Sequence, residues 1–346
     1  MRAAIMRSGQ LHVDDIADPV PGPGQVLVRT LACGICGSDL HALHHAHEMV
    51  AMSEASEPPP GMPAPVLMDP SRDVVLGHEF CGEVVAVGEN AGHREGDVVV
   101  SLPVVLDPRG VHPVGYSNEY PGGYGELMVL SDFLCTDVPN GLDPHLAALT
   151  EPLAVGLHAV NRSRAASGTS AVVLGCGPVG LAVIAALART GVGPIVAADL
   201  SPTRRALATR FGAHEVVDPR DEEPISAWRR HAPEGPPVIF EAVGIPGMIE
   251  AAATAAPSGS QILVVGVCMQ SDAFRPMVAV AKELNLQFVL AYDPLEFAES
   301  LRLIADGEID VAPMITGTVD IAGVPGAFEA LADPDAHAKV LVVPPT

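Results

Sequence analysis

The stretch AVVLGCGPVGLAVIAALART, residues 171–190, restricts the fold more than any other part of this chain. A short β-branched run meets Gly175, Gly177 and Gly180, spaced G-x-G-x-x-G, and leads into a helix-length apolar run. That order demands a strand, a tight turn and a helix packed back onto the strand, the building block of a doubly wound parallel sheet. The alternation continues: PIVAAD, PPVIFEAVG and QILVVGV read as buried strands, with TRRALATRF and PGMIEAAATAA as the helices among them. A helix N-terminus behind bare glycine backbone attracts anions, so Gly175, Gly177, Pro178, Val179 and Gly180 are candidate contacts for a dinucleotide pyrophosphate. Asp199 follows Gly180 by nineteen positions, at the end of the next strand. There an acid holds an adenosine ribose and repels a 2′-phosphate. NAD is the expected cofactor; Arg204 and Arg205, shortly downstream, keep NADP as the alternative.

Before residue 152 the texture differs. GQVLVRTLACGI, DVVLGHEFCGEVVAVG and DVVVSLPVV are short β-rich runs broken by Gly and Pro, as in a twisted antiparallel β domain. With 346 residues the chain can bury two cores. The expected class is α/β: a β domain over 1–152, a dinucleotide-binding domain over 153–290, and a segment, 291–346, that returns to the first domain because the second already has its strands. The 42 acidic against 19 basic residues give a formal charge of −23, which repels nucleic acid. No run of about 18 apolar residues reads as a membrane span, and the start lacks the apolar core of a signal peptide, so the expected compartment is the cytoplasm. Six scattered cysteines suit thiols or metal ligands better than a disulfide framework.

The β half also carries the chemistry. GICGSDLHALHHAH, residues 34–47, holds one cysteine, one aspartate, a serine and four histidines. A catalytic metal takes three protein ligands and keeps a position open. Cys36 in GICGSD, His78 and Glu79 in LGHEFCG, and Glu151 in TEPLAVGLHA all qualify.

Together GICGSDLH, GHE, EPL and the G-x-G-x-x-G half resemble the zinc-dependent medium-chain alcohol dehydrogenases, on the sorbitol, threonine and butanediol dehydrogenase branch. The resemblance covers essentially the whole chain. It implies a GroES-like catalytic domain, a Rossmann domain, and hydride transfer between a nicotinamide and an alcohol or ketone, with zinc polarising the substrate oxygen. It gives Cys36 and His78 to the zinc, with Glu151 or Glu79 as the carboxylate ligand. It makes Ser38 the hydroxyl facing the substrate, Asp39 the carboxylate orienting the histidine ligand, and His41 the outer end of a proton relay. Val243, Gly244, Gly266 and Val267 match the backbone walling the cofactor, and Lys339 a contact to its phosphates. A homodimer or homotetramer is implied as well.

His44, His45 and His47 have no counterpart in that pattern and read as a solvated loop, and Cys33 as a strand cysteine facing the core. Residues 97–134 contain no cysteine, so a single catalytic zinc is expected and a four-cysteine structural zinc is not. The 42 positions from Cys36 to His78 are more than the branch leads one to expect, and residues 48–73 read as an insertion lining or covering the substrate cleft. A metal-free reductase on this fold would lack the ligands. A silent dinucleotide-binding protein would fail to reduce its cofactor with any alcohol.

Overall fold

The computed structural model describes residues 1–55, 64–231 and 233–345. They divide into two compact units, one of 1–151, 315–333 and 339–346, the other of 152–314 and 334–338.

The first unit opens with β1 (Arg2–Arg7), β2 (Gln10–Asp15) and the long β3 (Gln25–Gly34), followed by α1 (Gly37–Glu54). The strands β4 (Val74–Val75), β5 (Glu79–Val87), β6 (Val98–Ser101), β7 (Val104–Asp107), β8 (Gly110–Pro113), β9 (Leu127–Ser131) and β10 (Cys135–Asp137) come next, then α2 (Pro144–Ala147) and α3 (Thr150–Asn161), whose first residues end the unit. Register shifts between Leu27 and Val28 and between Thr30 and Ala32 bend β3, which pairs antiparallel with β5, β9 and a late strand described below. Extra residues of this kind bend and twist a strand. The core beneath includes Ile5, Val28, Leu76, Phe80, Met128 and Leu130. β7 and β8 form a hairpin whose Asp107 accepts from the Arg109 backbone and guanidinium, His112 and Tyr120.

The second unit runs β11 (Ala171–Leu174), α4 (Pro178–Arg189), β12 (Ile195–Ala198), α5 (Pro202–Arg210), β13 (Glu215–Val217), α6 (Pro224–Arg230), β14 (Val238–Glu241), α7 (Met248–Ala255), β15 (Gln261–Val264), α8 (Pro276–Ala281), β16 (Asn285–Phe288) and α9 (Pro294–Ala305). Its sheet is parallel, in the order β13-β12-β11-β14-β15-β16. The order reverses at β11, where the glycine-rich turn sits, and ligands of such sheets bind beyond the carboxyl ends of the strands at that point. Val172, Val196, Ile239, Ile262 and Trp228 fill the core.

β17 (Ile315–Val319), α10 (Val324–Leu331) and β18 (Lys339–Val342) belong to the first unit, where β18 pairs with the end of β3. The return therefore begins at Ile315 and not at 291. α9 stays with the second unit, tied there by Glu296, which takes hydrogen bonds from His158 and Asn161. The histidine segment also departs from expectation: it is helix, not loop, and α1 extends seven residues into the 48–73 insertion. Part of that insertion, 56–63, lies outside the described residues. Among the described residues no helix is long and apolar enough to cross a membrane.

Candidate active site

β3 delivers the chain to Cys36, which is extended and caps α1. A cap oxygen usually comes from the cap residue itself. Here Asp39, three residues on, accepts the Cys36 N–H at 2.9 Å, which leaves the thiol at the positive end of the helix dipole, where negative charge is favoured. His78 precedes β5 and Glu79 opens it. One ligand atom from each of Cys36, His78 and Glu79 lies within 4.8 Å of the others. Gly34 makes room for this, since a Cβ there would collide with Glu79 Oε2.

Asp39 organises the pocket and is itself fully buried. Its Oδ1 lies 3.3 Å from His78 Nδ1, and its Oδ2 accepts from the Tyr124 hydroxyl at 2.6 Å. The Tyr116 hydroxyl is 3.2 Å from Asp39 Oδ1 and 3.1 Å from Ser38 Oγ, with its ring 5.4 Å from that of His78. Ser38 Oγ lies 3.4 Å from His78 Nε2. Burial alone would raise the Asp39 pKa, but His78, Tyr124 and the Cys36 N–H outweigh it and hold the carboxyl below its ordinary value. Burial likewise works against a charged His78, yet Asp39 and then Cys36 outweigh it and raise the imidazole well above its usual range. Burial, then Asp39, pushes both phenols up, so Tyr116 and Tyr124 remain donors.

These fields favour a positive charge at His78, which a proton or a metal ion can supply. A thiol, an imidazole and carboxylates form a zinc-type donor set, and an imidazole turned by a carboxylate through one nitrogen offers the other as ligand. The residues fit the metal.

The two candidate carboxylates are held differently. Glu79 sits in the close group, but Lys339 Nζ binds both of its oxygens, at 2.6 and 2.7 Å, and donates to the Ile35 carbonyl at 3.0 Å. Burial alone would lower the Lys339 pKa, but Glu79 and Cys36 outweigh it and hold it raised; Glu151 adds to them. Glu151, buried in the first turn of α3, is outside the close group. The expectation that Lys339 serves the cofactor phosphates is overturned: an ammonium with no exposure, saturated by Glu79 and a carbonyl, has nothing left for them. His41, His44, His45 and His47 all lie on α1, and Cys33 is a buried strand thiol, its pKa raised well above normal by burial.

In the second unit the glycine-rich turn has the geometry its spacing demands. Gly175 is left-handed at φ +91, and a Cβ on Gly180 would collide with the Gly175 carbonyl. Asp199 Oδ2 accepts the Cys176 N–H at 2.7 Å and its Oδ1 the Ser201 N–H at 2.8 Å, so this acid also ties the turn to β12. Arg204 reaches toward the same turn: its Nη1 is 3.9 Å from where a Gly177 Cβ would stand, and its buried Nε has no hydrogen-bond partner among the described residues. Arg205 is held by the Asp199 and Leu200 carbonyls and by Asp218. Glu241 accepts the Val243 and Gly244 N–H groups at 2.7 and 2.9 Å, and its backbone carbonyl accepts from Gly266, which joins the segments holding Val243, Gly244, Gly266 and Val267.

Tyr116, Tyr124 and Glu241 gave no local sequence signal. Lys339 did: it is one of only two lysines in the chain and heads an apolar strand.

The Alcohol dehydrogenase GroES-like domain model matches residues 22–140 and the Zinc-binding dehydrogenase model residues 178–306. (R,R)-butanediol dehydrogenase of Bacillus subtilis (strain 168) is 30% identical over 96% of both chains. Sorbitol dehydrogenase of the same organism is 26% identical over 99% of this chain and 97% of its own. The crystal structure of the Bacillus subtilis 2R,3R-butanediol dehydrogenase superposes with a TM-score of 0.82 at 30% identity, covering 99% of each chain. A Sinorhizobium meliloti 1021 protein, described as a zinc-binding dehydrogenase and bound to NADP, does so at 0.83 and 26%, again over 99% of each. The chain belongs to the zinc-dependent medium-chain alcohol dehydrogenase family.

Proposed function

We propose that this oxidoreductase interconverts a vicinal diol or other polyol and its ketone by hydride exchange with NAD, using one zinc ion held by Cys36, His78 and a carboxylate. The observation that carries the reading is the Cys36–His78–Glu79 group with Asp39 locked behind the imidazole. When bound, zinc supplies Lewis-acid polarisation of the substrate oxygen. Asp39, fixed by Tyr124 and the Cys36 N–H, keeps His78 turned with Nε2 outward. Ser38, at hydrogen-bond distance from the Tyr116 hydroxyl, takes the substrate proton, and His41, one helical turn further along α1, passes it outward. Lys339 neutralises Glu79 through both oxygens, which favours Glu151 as the carboxylate ligand.

The diol and polyol class comes from the relatives named butanediol and sorbitol dehydrogenases. NAD is preferred because Asp199 places an acid beside the turn, while the unpartnered Arg204 Nε suits a pyrophosphate there. Self-association is part of the reading, since β16 is the last strand of its sheet and leaves Phe288 exposed, with Leu290 just beyond. The test is a panel of 2,3-butanediol, sorbitol and apolar secondary alcohols with NAD and with NADP, run on zinc-loaded protein of measured molar mass. Turnover of diols or polyols with NAD supports the reading. Zinc-loaded protein that binds NAD but oxidises no member of the panel refutes it.

A further inference from the structure

The proposed reaction uses Ser38 and Asp39, and the hydroxyl of Tyr116 stands between them, 3.1 Å from Ser38 Oγ and 3.2 Å from Asp39 Oδ1. Its position is built by backbone contact. After β8 the chain turns, with the Tyr116 N–H on the Pro113 carbonyl at 3.1 Å, and runs directly against the residue that precedes His78. Gly115 is left-handed at φ +84, and a Cβ there would stand 3.0 Å from the Gly77 nitrogen. A side chain at 115 is excluded twice, by its own backbone and by that neighbour. Tyr116 and His78 thus each follow a glycine, and the contact between the two glycines lays the half-buried phenol ring against the imidazole, with 5.4 Å between centroids.

Among the described residues Ser38 Oγ has two neighbours at hydrogen-bond distance, His78 Nε2 at 3.4 Å and the Tyr116 hydroxyl. Nε2 is the nitrogen that Asp39, facing Nδ1, leaves for the metal. An imidazole nitrogen whose lone pair is given to an ion cannot accept from a serine, so in the loaded protein Ser38 loses that neighbour and keeps the phenol. A serine side chain has three staggered positions, and the phenol holds it in one. Asp39 depends on the same phenol far less: the Tyr124 hydroxyl at 2.6 Å and the Cys36 N–H at 2.9 Å fix its Oδ2, and His78 faces its Oδ1. We propose that Tyr116 is a positioning residue for proton transfer, its hydroxyl holding Ser38 Oγ beside His78 once Nε2 binds the metal. The phenol itself neither gives nor takes the proton. The two tyrosines on Asp39 then divide the work, Tyr116 acting on Ser38 and Tyr124 on the imidazole ligand. The proposal rests on the reading of Ser38 as the group that takes the substrate proton.

A double-variant cycle on zinc-loaded protein tests this, using the alcohol of the panel that turns over fastest with NAD, and zinc affinity is measured alongside by competition with a chromogenic chelator. Tyr116→Phe should lower kcat/KM for oxidation by about three- to tenfold, the scale of one net hydrogen bond. Ser38→Ala should lower it further, by about 10²-fold or more. Adding Tyr116→Phe to Ser38→Ala should cost less than about twofold, because residues that act through one group are not additive. Zinc affinity should stay within about twofold in Tyr116→Phe and fall by about tenfold in Tyr124→Phe, since groups behind a metal ligand are worth about 10- to 100-fold. The proposal is overturned if the losses from Tyr116→Phe and Ser38→Ala multiply, if Tyr116→Phe leaves the rate unchanged, or if it weakens zinc as much as Tyr124→Phe does. A parent that oxidises no alcohol removes the reading of Ser38 and the proposal with it, whereas multiplying losses in an active parent remove the proposal alone.

Discussion

The Cys36–His78–Glu79 pocket and the glycine-rich turn bring polar groups together by opposite means. In the pocket Asp39 and Lys339 are fully buried and Glu79 nearly so, held by partners from far along the chain: Glu79 and Lys339 are 260 residues apart, Asp39 and Tyr124 85. At the turn the polar groups are backbone, from six consecutive residues, tied by one acid, Asp199, 23 positions from the N–H it holds. A site made of coupled buried charges should fail abruptly when one member is removed. A site made of backbone should change preference and survive.

The sharpest break is expected in the pocket. Cys36→Ser removes the thiolate from the donor set, and because a catalytic metal contributes several kcal/mol at about 1.4 kcal/mol per decade, turnover should fall by about 10³-fold or more. Zinc content should fall with it while fluorescence titration still reports NADH binding. Retention of both zinc and turnover would place the metal elsewhere.

Lys339→Met examines the pocket as structure. Leaving Glu79 buried without its ammonium should cost about 3–5 kcal/mol of stability, the usual result of breaking a buried pair by one partner. Pairing it with Glu79→Gln removes the orphaned charge and should recover most of that loss. Thermal unfolding of the two variants decides: if the double variant is no more stable than the single, the cost lies in packing around Lys339 and not in charge.

This contrast also governs how much could be read from the sequence. The turn was legible because its residues are contiguous and Gly175, Gly177 and Gly180 are dictated by local backbone geometry. Cys36, His78 and Glu79 were legible as short motifs. Their holders were not: nothing near Tyr116 or Tyr124 indicates that their hydroxyls meet at Asp39, which only the pairing of distant strands brings about. Lys339 was read as a phosphate contact because its sequence position carries no information about which carboxylate it is buried against. α1 was misread for a different reason. Its signals were present, with an acid at the third helical position and no proline from 37 through 57, but the density of imidazole suggested a loop. The end of the second unit was placed too early because the count of strands ignored α9, which the hydrogen bonds from His158 and Asn161 to Glu296 hold there.

At the nucleotide turn the expected effects are smaller. Asp199→Gly removes both the acid that repels a 2′-phosphate and the tie to Cys176, so NAD should weaken and the NADP/NAD ratio of kcat/KM should rise by about tenfold, the scale of one charged hydrogen-bonding group at about 1.4 kcal/mol. Protein unfolding should change little. An unchanged ratio would move cofactor selection away from Asp199.

The smallest effect concerns Arg205, the cation nearest Asp199 that is not available to a phosphate as it stands. Asp218 holds it at 3.0 Å while also binding Arg220 at 2.5 Å. The hydrogen bonds from Arg220, with the charge of Arg205 behind them, keep the Asp218 carboxyl well below the ordinary carboxylate range. A pKa depressed in the folded state means that the unfolded chain takes up the proton first, near pH 3.9, so the stabilisation is complete above that value and is lost as pH falls through it toward the folded pKa. Asp218→Asn should therefore lower stability at pH 7, where that stabilisation is fully present, and should make the decline of the unfolding temperature between about pH 5 and pH 3 shallower than in the parent. Releasing one of the three acceptors on Arg205 should also raise the NADP/NAD ratio, by about two- to threefold, well below the change from Asp199→Gly. If the Asp218→Asn variant shifts the ratio as far as Asp199→Gly does, the turn is governed by the same kind of coupled charges as the metal pocket, and the contrast drawn between the two regions fails at its nucleotide end.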